Sequence, residues 1–383
     1  MSEKSSYAQI LKSSSIMGGA AGINLLLGMV RIKFAAVFLG TIGIGLMSSL
    51  TAIQGLIGII SGLGIQSSAV REIAVAVGKN DEDTIGRAVL TLRRISWFTG
   101  LVGMVAMMAL SPFLSQFTFN SSEYTMDIAA LSIIILLNNI SGAQMALIQG
   151  MRRIGDIARV NIISAVLATI FAIGFYSWIG MRGIVPSLIS IAATRLIVSW
   201  YFARYVLVPV VELSWKKTFT EASSMVQLGL VFMWTGLMSS IVGFITITLI
   251  TQQIDLQAVG IYIAAFALSG MFVNFVLQAM GTDYYPQLSG MKHNKDAMNR
   301  LVNRQTEIGL LLAVPGLLAT MVLSPWIIKI FYTNEFLPAV ELIQWFILGA
   351  FGKVISWPLS YLLLALGDVA LQLSMKFWQS TKI

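Results

Sequence analysis

Cysteine is absent from this chain of 383 residues, and histidine occurs only once. The lack of cysteine excludes disulfides, thiol catalysis and thiolate metal sites. The single histidine, His293, lies in a polar stretch and has no second histidine to complete a metal site, so we interpret it as a solvated loop residue. The chain also lacks a glycine-rich phosphate loop, and neither a metal ion nor a cofactor is expected.

Charged residues make up only 11% of the chain, whereas 57% of its residues are hydrophobic. A chain of this length with so little charge cannot form a soluble globule, and its composition predicts an all-α polytopic membrane protein. The net charge of +8 would indicate a nucleic-acid partner in a soluble domain. Here most cations lie in short loops between apolar runs, and we expect no nucleic acid.

Long apolar windows predict about ten transmembrane helices. The windows lie at about 14–39, 44–70, 96–114, 127–149, 158–180, 183–203, 224–252, 257–282, 307–331 and 339–366. The first window is much longer than the apolar core of a signal peptide, so we interpret it as an uncleaved first helix.

Lysine and arginine are distributed unevenly between the two sides of this segmentation. All but six of the 25 cations fall on one side of the membrane. The exceptions are Arg182 and Lys329 on the other side, and Arg31, Lys33, Arg195 and Lys353 within predicted spans. By the positive-inside rule the basic side, with the N-terminus, is cytoplasmic.

A weak internal repeat relates the two halves of the chain. Matching residues occur in the same order with a slowly drifting spacing: Gly45 and Gly55 with Gly260 and Gly270, Ser111 and Pro112 with Ser324 and Pro325, and Gly155 and Asp156 with Gly367 and Asp368. Six helices in each half would give a parallel repeat. We therefore predict a six-helix N-terminal lobe at 1–214 and an incomplete C-terminal lobe at 215–383, with helices 7 to 10 and the start of an eleventh, as in a truncated copy.

Arg31 and Lys33 lie deep inside the first apolar stretch, where a charge costs at least about 2.5 kcal/mol. The guanidinium of an arginine can donate two parallel hydrogen bonds to two oxygens of one phosphate, whereas the ammonium of a lysine offers a point charge. Helical spacing places Asn24 on the face of Arg31. We predict that this face lines a cavity that binds an anion. The alternative is that helix carbonyls or a carboxylate on a neighbouring span satisfy both charges.

Other polar residues in the predicted spans allow two interpretations each. Lys353 lies between small residues and the Trp357-Pro358 break, where a lining role and a structural role are both open. For Arg195 we favour helix packing. Asn138 and Ser141 share a face of the fourth helix with Gln149, where amides would bind sugar hydroxyls or, as is commoner, form interhelical hydrogen bonds.

Catalytic groups do not converge in the predicted spans, because carboxylates occur only near helix ends. The acidic run at 81–83 is interpreted as a solvated loop. We therefore expect that the chain is not an enzyme.

Four short segments resemble a known family. They are RIKFAAVFLGTIGIGL in the first helix and turn, SSAVREIA at the end of the second helix, AVGIYIAAFALSG as the counterpart of these segments in the second half, and DYYPQLSG at the end of the eighth helix. These segments resemble the bacterial lipid-linked oligosaccharide flippases of the O-antigen type, in the multidrug, oligosaccharidyl-lipid and polysaccharide exporter superfamily. The resemblance extends from the first helix to about residue 368, whereas family members usually have twelve or more helices.

This resemblance implies two six-helix lobes around a central cavity. It implies a flippase that moves an undecaprenyl-diphosphate-linked oligosaccharide across the bacterial inner membrane by alternating access. Membrane lipids would be partners, as would a polysaccharide polymerase and chain-length machinery. By position, Arg31 matches a cavity cation of the family, and Tyr285-Pro286 matches its aromatic-proline helix end.

Two other functions compete with this interpretation. A drug/cation antiporter of the same superfamily would need acidic residues at mid-membrane, where this chain offers basic ones. An integral-membrane glycosyltransferase or polymerase would need catalytic carboxylates and large loops outside the membrane. Such loops are not predicted from the sequence.

Overall fold

The computed structural model describes residues 3–290 and 295–366. His293, the expected start of an eleventh helix after residue 366, and the side chains of Tyr285 and Pro286 lie outside this description. Within the described ranges the secondary structure is helical. The predicted all-α class is thereby confirmed.

Ten α-helices make up the described chain. They are α1 (Glu3–Gly62), α2 (Ile65–Gly78), α3 (Glu82–Phe119), α4 (Thr125–Gly150), α5 (Ile154–Ile179), α6 (Ile184–Ala203), α7 (Trp215–Gln253), α8 (Leu256–Gly290), α9 (Lys295–Phe331) and α10 (Ala339–Leu366). Short 3-10 turns occur at Gly180–Gly183 and Asn334–Phe336.

Eight helical stretches of the described chain are long and apolar enough to cross a membrane. Two of them, Ile16–Gly62 and Ile154–Ala203, have 47 and 50 residues, more than twice the roughly 20 needed for one crossing. Gly40 interrupts the first at a φ of 65°, which glycine adopts without strain. The turn at Gly180–Gly183 interrupts the second. The described stretches therefore provide ten crossing segments, as the apolar windows predict.

Several helices begin earlier than these windows. Residues 81–83 are solvent-exposed, as predicted, but they do not form a loop, because Asp81 is the N-cap of α3 and the next two residues form its first turn. The Asp81 carboxylate accepts hydrogen bonds from the backbone N–H of Thr84 (3.0 Å) and from its hydroxyl (2.6 Å). Acidic side chains here also favour the positive end of the helix dipole.

Backbone contacts divide the chain into two compact units. The first contains the chain up to Leu39 together with Ser49–Gln252, and the second contains Gly40–Ser48 and the chain from Gln253 onward. The helix α7 groups with the first unit in these contacts. The repeat predicts that α7 opens a second lobe, and the lobe boundary at 214 and 215 stays a prediction.

In the first unit, α4 packs against α2, α3 and α6, and α5 packs against α6. Small residues allow these helices to approach closely. A Cβ atom at Gly103 would collide with Ser61, and one at Gly150 would press against Ile73. The buried core of this unit consists mainly of aliphatic side chains from α2, α3, α4 and α6.

In the second unit, α8 packs against α9 and α10. Residues 40–48 of α1 also belong here, and a Cβ atom at Gly45 would collide with the carbonyl oxygen of Leu256. A Cβ atom at Gly260 would likewise collide with the carbonyl oxygen of Thr41. Gly45 and Gly260 are matched by the sequence repeat. Both lie where the backbone of residues 40–48 packs directly against the start of α8.

Two carboxylates interact at one end of the first unit. Glu72 of α2 is half-buried, and its pKa is raised first by burial and then by the nearby carboxylate of Glu221. Glu221 in turn accepts a hydrogen bond from Thr91 (3.3 Å). The helix α2 lies outside the stretches that qualify as membrane spans. A negative charge on Glu72 is therefore unfavourable in the folded chain.

We expect the Glu72→Gln variant to be more resistant to heat than the wild type at pH 8. The folded state keeps the Glu72 proton to a higher pH than the unfolded chain does. The free energy of unfolding is therefore highest below the pKa of Glu72 in the unfolded chain, about 4.3. It falls as pH rises through the raised pKa of Glu72 in the folded chain. Thermal unfolding in detergent at pH 5 and pH 8 measures the difference, with exposed Glu212→Gln as the control. An equal pH dependence in the Glu72 variant and the wild type would refute this.

Candidate substrate cavity

The first unit contains an open cavity of about 380 Å³ lined by residues of α1, α2, α4, α6 and α7, which we call the amide cavity. Glycine, amide and hydroxyl side chains dominate its lining. The described residues that line it are Gln54, Gly55, Gly58, Ile59, Gly62, Gly64, Gln66, Ser67, Ile135, Asn138, Asn139, Ser141, Gly142, Arg195, Phe232, Met233 and Gly236.

The amide cavity lies at membrane depth. Asn138 is close to the middle of α4, which runs from Thr125 to Gly150, so it lies roughly 18 Å from either helix end at 1.5 Å per residue. Arg195 lies eight residues before the end of α6 at Ala203, or about 12 Å. Polar side chains at this depth are costly against lipid and mark water-filled or substrate-binding cavities.

Arg195 supplies the positive charge of the amide cavity. Its side chain is exposed and lines the cavity, so the sequence-based preference for a helix-packing role is wrong. In the part of the chain that the structure describes, its guanidinium forms no hydrogen bond or ion pair, and no carboxylate is among the described lining residues. An unpaired guanidinium in a polar cavity is suited to bind an anion with two oxygens, such as a phosphate.

Three amide side chains of the cavity are available to a ligand. Asn138, Gln54 and Gln66 form no side-chain hydrogen bond within the described residues, whereas Asn139 donates to the Ser61 hydroxyl (3.4 Å) and joins α4 to α1. Each amide offers two donors and an acceptor. The available amides thus match a ligand rich in hydroxyl groups.

Glycines in the lining of the amide cavity leave space that a side chain would otherwise fill. A Cβ atom at Gly142 would collide with the amide of Gln66, so only glycine lets that side chain lie against α4. A Cβ atom at Gly55 would meet no atom within 4 Å and would project into open space. Gly64 has a φ of 63°, which ends α1 and turns the chain into α2. This turn carries Gln66 and Ser67 to the cavity.

The amides predicted on one face of α4 have different positions. Asn138 and Ser141 line the amide cavity, as the sugar-binding interpretation requires. Gln149 is exposed and is not among the lining residues. Gln144 instead accepts a hydrogen bond from the Ser199 hydroxyl (2.5 Å), which joins α4 to α6. The interhelical hydrogen bond foreseen for such amides therefore occurs on this helix, and sugar binding by Asn138 and Ser141 stays a prediction.

The predicted residues of the first helix lie elsewhere in the first unit. Arg31 is half-buried and interacts electrostatically with Tyr176 of α5. Asn24 has a buried amide oxygen that accepts no hydrogen bond from the described residues. Lys33 is half-buried. None of the three is among the described residues that line the amide cavity, and their role in binding stays a prediction.

Lys353 belongs to the second unit. Its ammonium group donates a hydrogen bond to the amide oxygen of Asn274 (2.9 Å) and so joins α10 to α8. This bond supplies the structural role that the sequence left open, and a lining role stays a prediction. Clusters of three or more acidic or histidine side chains that could hold a metal ion do not occur among the described residues.

The fold is that of transporters of the multidrug and oligosaccharide exporter superfamily. A multidrug resistance MATE family transporter of the MOP superfamily, solved in an inward-facing conformation, superposes with a TM-score of 0.77 at 12% identity. The superposition covers 93% of this chain and 84% of the transporter. At this identity the likeness concerns the fold alone.

Sequence similarity gives the family. Residues 36–341 match the profile of the polysaccharide biosynthesis protein family, and the chain belongs to this family. Relatives include the lipid III flippases of Escherichia coli (strain K12) and Shigella flexneri, each 21% identical over 359 residues. Each alignment covers 90% of this chain and 81% of the relative. The family match is the one that the sequence motifs predict.

Proposed function

We propose that this chain is a flippase that translocates an undecaprenyl-diphosphate-linked oligosaccharide across the bacterial inner membrane by alternating access. The observation that carries the proposal is the amide cavity, in which one unpaired arginine and several available amides occur together at membrane depth. The family match and the lipid III flippase relatives support it.

The chemistry of the amide cavity fits the two polar parts of such a lipid. The guanidinium of Arg195 would bind phosphate oxygens as a fork. Gln54, Gln66 and Asn138 would exchange hydrogen bonds with sugar hydroxyls in place of water. The prenyl chain needs no polar partner and stays in lipid. Translocation breaks no covalent bond, so the proposed activity requires no catalytic group.

Residues outside the amide cavity have proposed roles as well. We propose that Arg31, with Asn24 on the same helical face and Lys33 nearby, contacts the substrate at another stage of the transport cycle. The buried, unsatisfied oxygen of Asn24 supports a polar ligand near this face. Lys353 would contribute when its bond to Asn274 opens. The two six-helix lobes at 1–214 and 215–383 are part of the same proposal.

A drug/cation antiporter is the second candidate, and the MATE transporter fold favours it. Cation transport by exchange for protons or sodium calls for carboxylates at mid-membrane. The described lining of the amide cavity instead carries a single arginine. Its electrostatics therefore favour an anionic substrate.

We also propose that the N-terminus and the basic loops face the cytoplasm, as the distribution of lysine and arginine requires. Reporter fusions at Lys79 and Gln116 should fall on opposite sides of the membrane, with Lys79 inside. A polysaccharide polymerase and chain-length machinery would act on the translocated substrate as partners.

Reconstituted vesicles test the proposed function. A labelled undecaprenyl-diphosphate-linked oligosaccharide is placed in the outer leaflet, and the fraction protected from a membrane-impermeant glycosidase is followed over time. We expect protection to rise faster with the protein than in protein-free vesicles. Proton-driven uptake of an organic cation without lipid translocation would instead establish the antiporter.

A further inference from the structure

A second cavity of the first unit, of about 740 Å³, lies along α4 between α3 and α6. We call it the arginine groove. The described residues that line it are Arg93, Ser96, Trp97, Ile140, Ala143, Gln144, Leu196, Ile197, Trp200, Ala203, Arg204, Val206 and Val208. Among the described residues, none lines both this groove and the amide cavity.

The floor and walls of the arginine groove are mainly apolar. Ile140 and Ala143 of α4 are buried and form the floor. Trp97 on α3 and Ile197 on α6 are 56% and 63% exposed, although both are large apolar side chains. The short side chain of Ala143 leaves space between these walls. An open apolar channel of this kind in a membrane protein is suited to a hydrocarbon chain.

Two arginines line the arginine groove. Arg204 lies over the rings of Trp200 and Tyr201, at 5.3 and 4.6 Å from their centroids, and donates a hydrogen bond to the Tyr205 hydroxyl (2.9 Å). Arg93 is exposed and forms no ion pair within the described residues. The described lining contains no carboxylate. The charges of these two arginines are therefore not compensated by any described carboxylate of the lining.

The order of residues along the helices matches the order of groups in a phospholipid. Arg204 is the residue after α6 ends, and Leu196 lies eight residues deeper, or about 12 Å. Arg93 precedes Trp97 by about one turn, or about 6 Å. The tryptophans thus lie between the arginines and the deeper aliphatic residues, a typical position for tryptophan at the membrane interface.

We propose that the arginine groove binds an anionic membrane phospholipid, with its phosphate at Arg93 and Arg204 and one acyl chain along α4. Basic pockets between transmembrane helices are known to bind anionic headgroups. A stacked guanidinium such as that of Arg204 is pre-oriented and loses little freedom when it binds a phosphate. This lipid site is separate from the transported substrate and does not depend on the proposed function.

Quenching of tryptophan fluorescence by brominated lipids tests the proposal. The purified full chain is titrated with phosphatidylglycerol or phosphatidylcholine that carries bromine on the acyl chains. We expect phosphatidylglycerol to bind more tightly by about fivefold per arginine, which corresponds to about 1 kcal/mol each. Arg93→Gln combined with Arg204→Gln should lower this preference to about one.

A charge-matched control separates the arginine groove from the general basic surface. Arg71→Gln combined with Lys216→Gln removes two exposed cations that do not line the groove, and it should keep the preference. Arg93→Lys combined with Arg204→Lys should keep most of it, because the charges remain. Unfolding temperatures of all variants report whether folding is intact.

A second measurement locates the bound lipid. Replacement of both Trp97 and Trp200 by phenylalanine should remove the component of quenching that is specific to phosphatidylglycerol. Persistence of that component would overturn the proposal, since the lipid would then lie near other tryptophans. The proposal would also be overturned if the double glutamine variant of the groove arginines and the charge-matched control lost the preference for phosphatidylglycerol equally, or if neither lost it.

Discussion

Arg195→Ala should reduce translocation of the lipid-linked oligosaccharide by about 10- to 100-fold. Each hydrogen bond to a charged group contributes about 1.5–3 kcal/mol. The alanine variant loses at least one such bond between the guanidinium and a substrate phosphate. The protein itself should not be destabilised, because the Arg195 guanidinium forms no hydrogen bond or ion pair with the described residues. The vesicle assay measures translocation, and thermal unfolding in detergent measures stability.

Two further variants make this test specific. Arg195→Lys should recover only part of the activity, because lysine offers a point charge without the planar fork. Arg182→Ala removes an exposed cation in the turn between α5 and α6, outside the amide cavity, and should leave translocation unchanged. Full activity of Arg195→Ala would exclude this guanidinium from the substrate path.

The membrane-spanning pattern of this fold can be predicted from the sequence because it rests on local properties. Apolar runs long enough to cross a bilayer are visible in composition alone. The break at Gly40 follows from a glycine between two such runs, and the structure has it at a positive φ. Helix starts outside the membrane, such as that of α3 at Glu82, depend on a single cap at Asp81 and were not predicted from hydropathy.

The candidate site is less predictable, because it depends on which helix faces meet. Asn138 was predicted from its face on α4 and lines the amide cavity. The sequence favours packing for Arg195, although the cost of burying a charge at membrane depth applies to it as it does to Arg31. Gln54 also lies at mid-span and could have been found by that argument. Gln66 reaches the cavity only because the chain turns at Gly64, a tertiary feature that the sequence leaves open.

Filling the amide cavity tests its role without removing a polar group. Gly55 lines it, and a Cβ atom there would meet nothing within 4 Å. The Cβ atom of a leucine would therefore displace no neighbouring atom, and we expect the rest of its side chain to project into the cavity. Replacing a glycine inside a helix should also stabilise α1 by about 0.5–1 kcal/mol. We expect Gly55→Leu to unfold at a slightly higher temperature than the wild type and to translocate at the rate of protein-free vesicles.

The opposite directions of these two effects separate a blocked cavity from a misfolded protein. Gly243→Leu is the matched control, because Gly243 lies in a helix, also has no atom within 4 Å of its Cβ position and does not line the cavity. It should gain stability and keep its activity. If Gly55→Leu kept full translocation with normal stability, the amide cavity would be excluded as the path of the substrate.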